Sequence, residues 1–195
     1  MTRTTASAEA DQHLLNGFVP FPHERAERYR QAGYWVGKPL DSILSDAARQ
    51  WPDRVAAVDP SASHTFAQLD QLASEAAAGF VDLGIGTGDR VLLQMPNTAN
   101  FAIALFGLLR AGAVPVMCLP AHRRAELSHF ATVSGAVALV IADRFGGFDY
   151  RDMARELVAE HPRLRQVVVD GDAGEFTSWT SLFGHGSAAA PTTGR

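Results

Sequence analysis

RVLLQMPNTANFAIALFGLLRAGAVPVMCLPAHRRAELSHFATVSGAVALVIA, residues 90–142, is the stretch whose reading decides the fold. Three of its segments, Arg90–Met95, Val114–Leu119 and Val137–Ala142, are short and almost wholly apolar. Between them, Thr98–Ala111 and Arg123–Val133 read as helices. A strand with one face in water would alternate apolar and polar side chains, and these do not. Strands apolar on both faces, alternating with helices, predict a parallel sheet covered on both sides. The expected class is α/β: a mostly parallel, doubly wound sheet with flanking helices.

The segments on either side extend this pattern. Upstream, Thr65 stands where an N-cap would open a helix reaching about Leu83, and Gly84 ends it. Leu69, Leu72, Ala73, Ala76, Phe80 and Leu83 form the apolar stripe of that helix. Before it lie a β-prone His64-Thr65-Phe66 and a short strand, Val55–Val58. A further helix is expected over Leu40–Trp51, stopped by Pro52. Farther upstream, His23–Ala32 reads as a helix closed by Gly33, with Tyr34 and Trp35 anchoring an N-terminal arm. Downstream, Asp149–Glu160 adds a helix and Gln166–Val169 a strand. Residues 1–16 read as a mobile lead-in, 17–183 as one subdomain, and 184–195, small and polar, as a linker-like tail.

Composition narrows the function. Hydrophobic residues make up 47% of the 195 and charged residues 19%, which predicts a packed core rather than a disordered chain. The net charge of −4, without a basic block, argues against a nucleic-acid surface. No apolar run approaches a membrane span, and residues 1–11 lack the apolar centre of a signal peptide. With one cysteine, Cys118, no internal disulfide can form. A cytoplasmic protein is expected. Of the 17 basic residues only Lys38 is lysine.

The tempting motifs are weak. Gly84-Ile85-Gly86-Thr87-Gly88-Asp89 fails as a dinucleotide fingerprint, because Asp89 stands at the third glycine and the loop runs from helix to strand. Only a strand-to-helix turn aims helix N–H groups at a phosphate, so a helix cap and tight turn is the better reading. A nicotinamide-dependent oxidoreductase is correspondingly disfavoured. His122, Glu126 and His129 share one face of the expected helix, but their spacing is not the zincin pattern, and rim or solvated residues are expected there rather than a metal site. No G-x-S-x-G elbow is present. Cys118 is expected within a buried strand, as inert filler. Asp149 and Asp152 fit the positive end of a helix.

What remains is location. Open parallel sheets bind ligands beyond the carboxyl ends of their strands. The loops expected there are Pro96-Asn97, Leu119–Arg123 and Asp143–Gly147. Arg123 and Arg124 also sit at a helix N-terminus, where cations oppose the dipole, so a compensating partner or packing role is expected. His122 and Arg123 are the rim candidates for substrate binding; no catalytic residue and no metal ligand is assigned.

Several stretches occur together in order: Gly17-Phe18-Val19-Pro20-Phe21-Pro22, Tyr29-Arg30-Gln31-Ala32-Gly33-Tyr34-Trp35, Thr65-Phe66-Ala67-Gln68-Leu69-Asp70 and Leu83–Val91. Gln94-Met95-Pro96-Asn97, Leu109–Val116 and Leu119-Pro120-Ala121-His122-Arg123 follow. Together they resemble the N-terminal part of adenylate-forming, AMP-binding enzymes. The Pro-Ala-His-Arg corner and the Tyr-Trp arm point to the aryl-acid AMP ligase branch of siderophore biosynthesis, with its salicylate-activating (mycobactin) and 2,3-dihydroxybenzoate-activating members. The resemblance implies two steps: an aromatic carboxylate attacks the α-phosphate of ATP, with Mg²⁺, and the thiol of an aryl carrier protein's phosphopantetheine arm then takes the aryl group.

The same resemblance implies a Ser/Thr/Gly-rich loop ending in lysine, an aromatic-acid pocket, an acidic residue on the ribose and a catalytic lysine. None of these is matched. Thr192-Thr193-Gly194 has neither the preceding apolar strand nor the following lysine, and Lys38 matches no catalytic position. A truncated N-terminal portion, inactive by itself, is therefore expected, and no productive ATP or Mg²⁺ binding. The alternative is a free-standing, non-catalytic α/β binding or regulatory module of the same ancestry.

Overall fold

The structure, a computed structural model, describes residues 19–184. The lead-in expected over 1–16 lies outside the described residues, as does the tail beyond Gly184 with Thr192-Thr193-Gly194. The chain forms two compact units, Met1–Pro39 and Leu40–Arg195.

In the first unit, helix α1 spans His23–Gln31 and follows Pro22. Its Tyr29 gathers the aromatic rings of the arm: Phe21 at 5.7 Å, Tyr34 at 5.9 Å and Trp35 at 5.5 Å between centroids. Arg25 and Arg30 lie over the rings of Phe21 and Trp35. Such pairs have the tilted or edge-on geometry that the ring quadrupole favours.

The second unit opens with α2 (Ser42–Gln50) and an antiparallel pair, β1 (Val55–Val58) and β2 (Ser63–Thr65). Helix α3 (Phe66–Asp82) starts at a complete capping box: Thr65 Oγ1 accepts from Gln68 N at 3.3 Å, and Gln68 Oε1 accepts from Thr65 N at 2.9 Å. It ends before Gly84, whose φ of 76° confirms the predicted stop. Then follow β3 (Arg90–Gln94), α4 (Ala99–Arg110), β4 (Val114–Met117), α5 (Arg124–Ser134) and β5 (Ala138–Ala142). A small hairpin, β6 (Arg144–Phe145) and β7 (Phe148–Asp149), turns through Gly146-Gly147, both at positive φ as a tight primed turn requires. The chain continues as α6 (Tyr150–Glu160), β8 (Gln166–Asp170), β9 (Thr177–Ser178) and a 3₁₀ turn, Trp179–Leu182.

Strands β4-β3-β5-β8-β9 form one sheet in that order, parallel throughout. Alternation along the strands separates two cores. Val91 and Leu93 of β3 pack with α3 and α4 around Phe80, Ile103 and Leu108. Leu92 faces the other way, with Leu127 of α5 and Met153 and Leu157 of α6. The α3–α4 contact is close because small residues line it: a Cβ on Gly107 would lie 3.0 Å from Ala76 Cβ. Gly79 lets the backbone of Leu182 approach so near that a Cβ would fall 2.5 Å from Leu182 O.

Two expectations need correction. Apolar composition predicts strands buried on both faces, which holds for β3, β5 and β8 but not for β4, where Val114 and Met117 are exposed. β4 is one of the two edge strands of the sheet, a position that apolar composition does not reveal. Cys118 lies one residue beyond that strand rather than inside it, although it is buried. The hairpin β6–β7, strand β9 and the 3₁₀ turn are too short for periodicity to mark.

Candidate functional site

From β3 the chain crosses to β4, then returns past β3 to reach β5 on its other side. This reversal leaves a switch point at the carboxyl ends of β3 and β5, where open α/β sheets bind ligands. The three predicted loops do converge on that edge. Their contacts decide what each can do.

The corner Leu119–Arg124 is held by side chains. Gln94, the last residue of β3, donates from Nε2 to Leu119 O at 2.9 Å and to His122 O at 3.0 Å. Tyr150, the first residue of α6, donates from Oη to Pro120 O at 2.8 Å. Arg123 Nη1 donates to Pro120 O at 2.7 Å and His122 O at 2.8 Å. Three of the corner's carbonyls, those of Leu119, Pro120 and His122, thus have side-chain donors that restrain the loop.

His122 does not sit on the helix with Glu126 and His129, as the spacing suggested. It precedes the cap, its Nδ1 accepts from Leu119 N at 3.1 Å, and its ring lies edge-on to Phe130 at 5.2 Å. Glu126 Oε2 accepts from Arg123 N at 2.9 Å, and this bond is the main cause that lowers its carboxyl below the usual range. No group of three metal-ligating side chains occurs among the described residues. The two arginines that oppose the helix dipole are answered within the chain. Arg123 lies over the Phe148 ring, 4.1 Å from its centroid, and Arg124 pairs with Glu156 and Glu160 of α6 at 3.1 and 3.3 Å.

The same edge carries carboxylates on the other loops. Asp59, between β1 and β2, accepts at Oδ1 from Ser61 Oγ at 2.6 Å and at Oδ2 from Ala99 N at 2.7 Å, at the start of α4. These bonds, the Ser61 hydroxyl foremost, hold it well below the usual carboxylate range. Asp170, ending β8, accepts from Asn100 Nδ2 at 3.0 Å. Burial raises its pKa, the bond from Asn100 opposes that rise, and the charges of Asp143 and Asp59 add to it. Asp149 caps α6 and holds Arg151, whose Nη1 reaches Asp172 at 2.6 Å. The hydrogen bond from Arg151 keeps Asp149 strongly acidic.

No activated nucleophile accompanies this edge. Burial pushes the Cys118 thiol up to about 11, so it stays protonated. Ser128 Oγ lies 2.9 Å from His161 Nε2 and 3.2 Å from Glu160 Oε1, so two acceptors at the end of α6 compete for its one proton. The edge is a platform of side chains paired within the chain. Its organising residues, Gln94 and Tyr150, were absent from the sequence-based candidates. The one available signal was a lone polar residue closing the apolar run Val91-Leu92-Leu93.

Comparison with known proteins agrees with the topology. The family model described as "AMP-binding enzyme" matches residues 44–191. The salicyl-AMP ligase / salicyl-S-ArCP synthetase of Mycobacterium tuberculosis is 61% identical over 185 residues, covering 91% of this chain and 33% of the relative. The 2,3-dihydroxybenzoate-AMP ligase of Bacillus subtilis is 41% identical over 163 residues, covering 84% of this chain and 30% of the relative. The apo structure of Mycobacterium smegmatis MbtA superposes with a TM-score of 0.85 at 60% identity, over 92% of this chain and 33% of that one. This chain therefore spans about a third of the length of the relatives it matches. By sequence and by fold it belongs to the AMP-binding enzyme family.

Proposed function

We propose that this chain forms the N-terminal part of an aryl-acid AMP ligase that loads salicylate or 2,3-dihydroxybenzoate onto a carrier protein for siderophore biosynthesis. The observation that carries the reading is 61% identity over 91% of the chain to a salicyl-AMP ligase. In the first step a carboxylate oxygen bonds to the α-phosphorus of ATP and pyrophosphate leaves with the broken bond's electrons. In the second, the phosphopantetheine thiol displaces AMP from the anhydride. Both steps build charge on phosphate oxygens, which Mg²⁺ and fixed donors would stabilise. The reaction draws on cytoplasmic ATP.

Within that enzyme, residues 17–183 act as a subdomain and 184–195 as a connecting segment. The corner carrying His122 and Arg123 walls the site rather than touching the reacting atoms. Both side chains are engaged within the chain, His122 with Leu119 N and Phe130, Arg123 with two carbonyls and Phe148. The phosphate loop and catalytic lysine must come from elsewhere, since Lys38 is the only lysine. No helix of the described residues is long and apolar enough to cross a membrane.

The test is ATP–pyrophosphate exchange dependent on salicylate or 2,3-dihydroxybenzoate. The 195 residues alone should give no exchange above background, and the same residues joined to the remaining two-thirds of a homologous ligase should restore it. Exchange by the short chain, or none by the joined protein, would refute the reading.

A further inference from the structure

The five-stranded sheet ends laterally at β4 and β9. Strand β9, Thr177–Ser178, is too short to template another strand. β4 is longer, and its Val114 and Met117 side chains are exposed, as is Leu119 just beyond it. An apolar edge of this kind invites pairing with another chain.

The ladder decides which backbone groups of β4 face outward. Val114 N donates to Asp89 O at 2.7 Å and Cys118 N to Leu93 O at 2.9 Å. Val116 stands opposite Leu92 in the same parallel register. Along a strand, the N–H and C=O of one residue point to one side and those of the next residue to the other. Residues 114, 116 and 118 therefore face β3. Pro115 and Met117 face away, and Leu119 is next in the alternation.

Two of these three positions are closed to an incoming strand. Proline has no N–H, so Pro115 offers only its carbonyl. Leu119 N donates to His122 Nδ1 at 3.1 Å. Leu119 O accepts from His122 N at 3.0 Å and from Gln94 Nε2 at 2.9 Å. The His122 ring is itself seated edge-on against Phe130, 5.2 Å between centroids. Of the three positions, Met117 alone can offer an N–H to a new strand. A ladder draws a donor and an acceptor from every second residue, so one donor supports no continuous pairing.

We infer that Pro115 and His122 close the β4 edge against strand addition, above all against the β4 edge of a second copy of this chain. The histidine of the Leu119–Arg124 corner thus acts on the backbone of its own loop, and the role involves neither nucleotide nor substrate.

Amide hydrogen exchange of the 195-residue chain, followed by NMR at several protein concentrations, tests the inference. After correction for intrinsic rates, Met117 should be unprotected at every concentration, and Leu119 should be protected relative to it because His122 holds its N–H. The double variant Pro115→Val, His122→Ala restores a donor at 115 and frees the one at 119. Its Met117 amide should gain protection as concentration rises, with a matching increase in sedimentation coefficient, and either substitution alone should give a smaller shift. Concentration-dependent protection of Met117 in the wild type, or none in the folded double variant, would overturn the inference. Equal protection of Leu119 and Met117 in the wild type would overturn it as well, and that comparison needs no substitution.

Discussion

Arg123 places its guanidinium carbon 4.1 Å from the centroid of Phe148, on the hairpin that follows the neighbouring strand β5. One contact thus joins two of the three loops at the carboxyl edge. It also resolves why a cation is stable at the N-terminus of α5: the aromatic face and two carbonyl oxygens outweigh the opposing dipole.

Arg123→Ala should lower stability by about 1 kcal/mol, because it removes one cation–π contact and the hydrogen bonds to Pro120 O and His122 O at a solvent-exposed site. Arg123→Lys should recover only part of the loss, since an ammonium cannot match a planar fork stacked on a ring. Urea denaturation followed by tryptophan fluorescence measures both, and equal stability of alanine and wild type would show the contact to be idle.

Gly79→Ala should destabilise despite alanine's better helix propensity of ~1 kcal/mol. The new Cβ would lie 2.5 Å from Leu182 O, a backbone atom that cannot swing aside. A net loss of about 2 kcal/mol is expected, of the size seen for overpacked cores. Glycine positions in open turns, such as Gly86, meet nothing within 4 Å and should tolerate alanine without a clash. Thermal melts of the two variants side by side make the comparison.

Thr65→Ala should cost about 1 kcal/mol by breaking the capping box of α3. Thr65→Ser, which keeps the hydroxyl, should cost less than half of that in the same denaturation experiment.

Stability should fall as pH drops below about 4. Asp59, Asp149, Asp172 and Glu175, the last held to about 2 by Arg155, all have folded pKa values below their unfolded ones. Their contributions are complete above the unfolded value and are lost as pH falls toward the folded one. Asp170 has the opposite sign, because burial raises it and the folded state gains by taking its proton. Asp59→Asn should therefore flatten the decline in melting temperature between pH 7 and pH 2.5, and Asp170→Asn should steepen it. The reverse order would contradict the assigned environments.

Cys118 should resist thiol reagents in the folded chain. A pKa raised from 9.0 to about 11 leaves roughly a hundredfold less thiolate at a given pH, and burial slows access further. Timed labelling with a disulfide reagent should be slow in buffer and fast in urea; equal rates would mean that the site opens freely.

Most element positions were legible because they rest on short-range physics. Thr65 and Thr98 cap helices through their own side chains, and Val91-Leu92-Leu93 can only lie where both faces are covered. The edge position of β4 was not legible, since Val114 and Met117 are as apolar as the residues of a central strand. The spacing groups His122 with Glu126 and His129 on the face of α5, although it lies just before the cap, because spacing alone cannot tell that Arg123 is the cap.

The sequence by itself determined the alternation of strands and helices, the parallel sheet and the edge on which function belongs. Hydrophobic period and capping chemistry act within a few residues, and a chain carries them wherever it goes. Tertiary structure alone decided that strand order reverses at β3 and that Gln94, Arg123 and Tyr150 meet at one corner. Gln94 and Tyr150 are far apart along the chain yet grip adjacent peptide groups. Such a meeting is set by how sheet and helices pack against each other, and no local pattern encodes it.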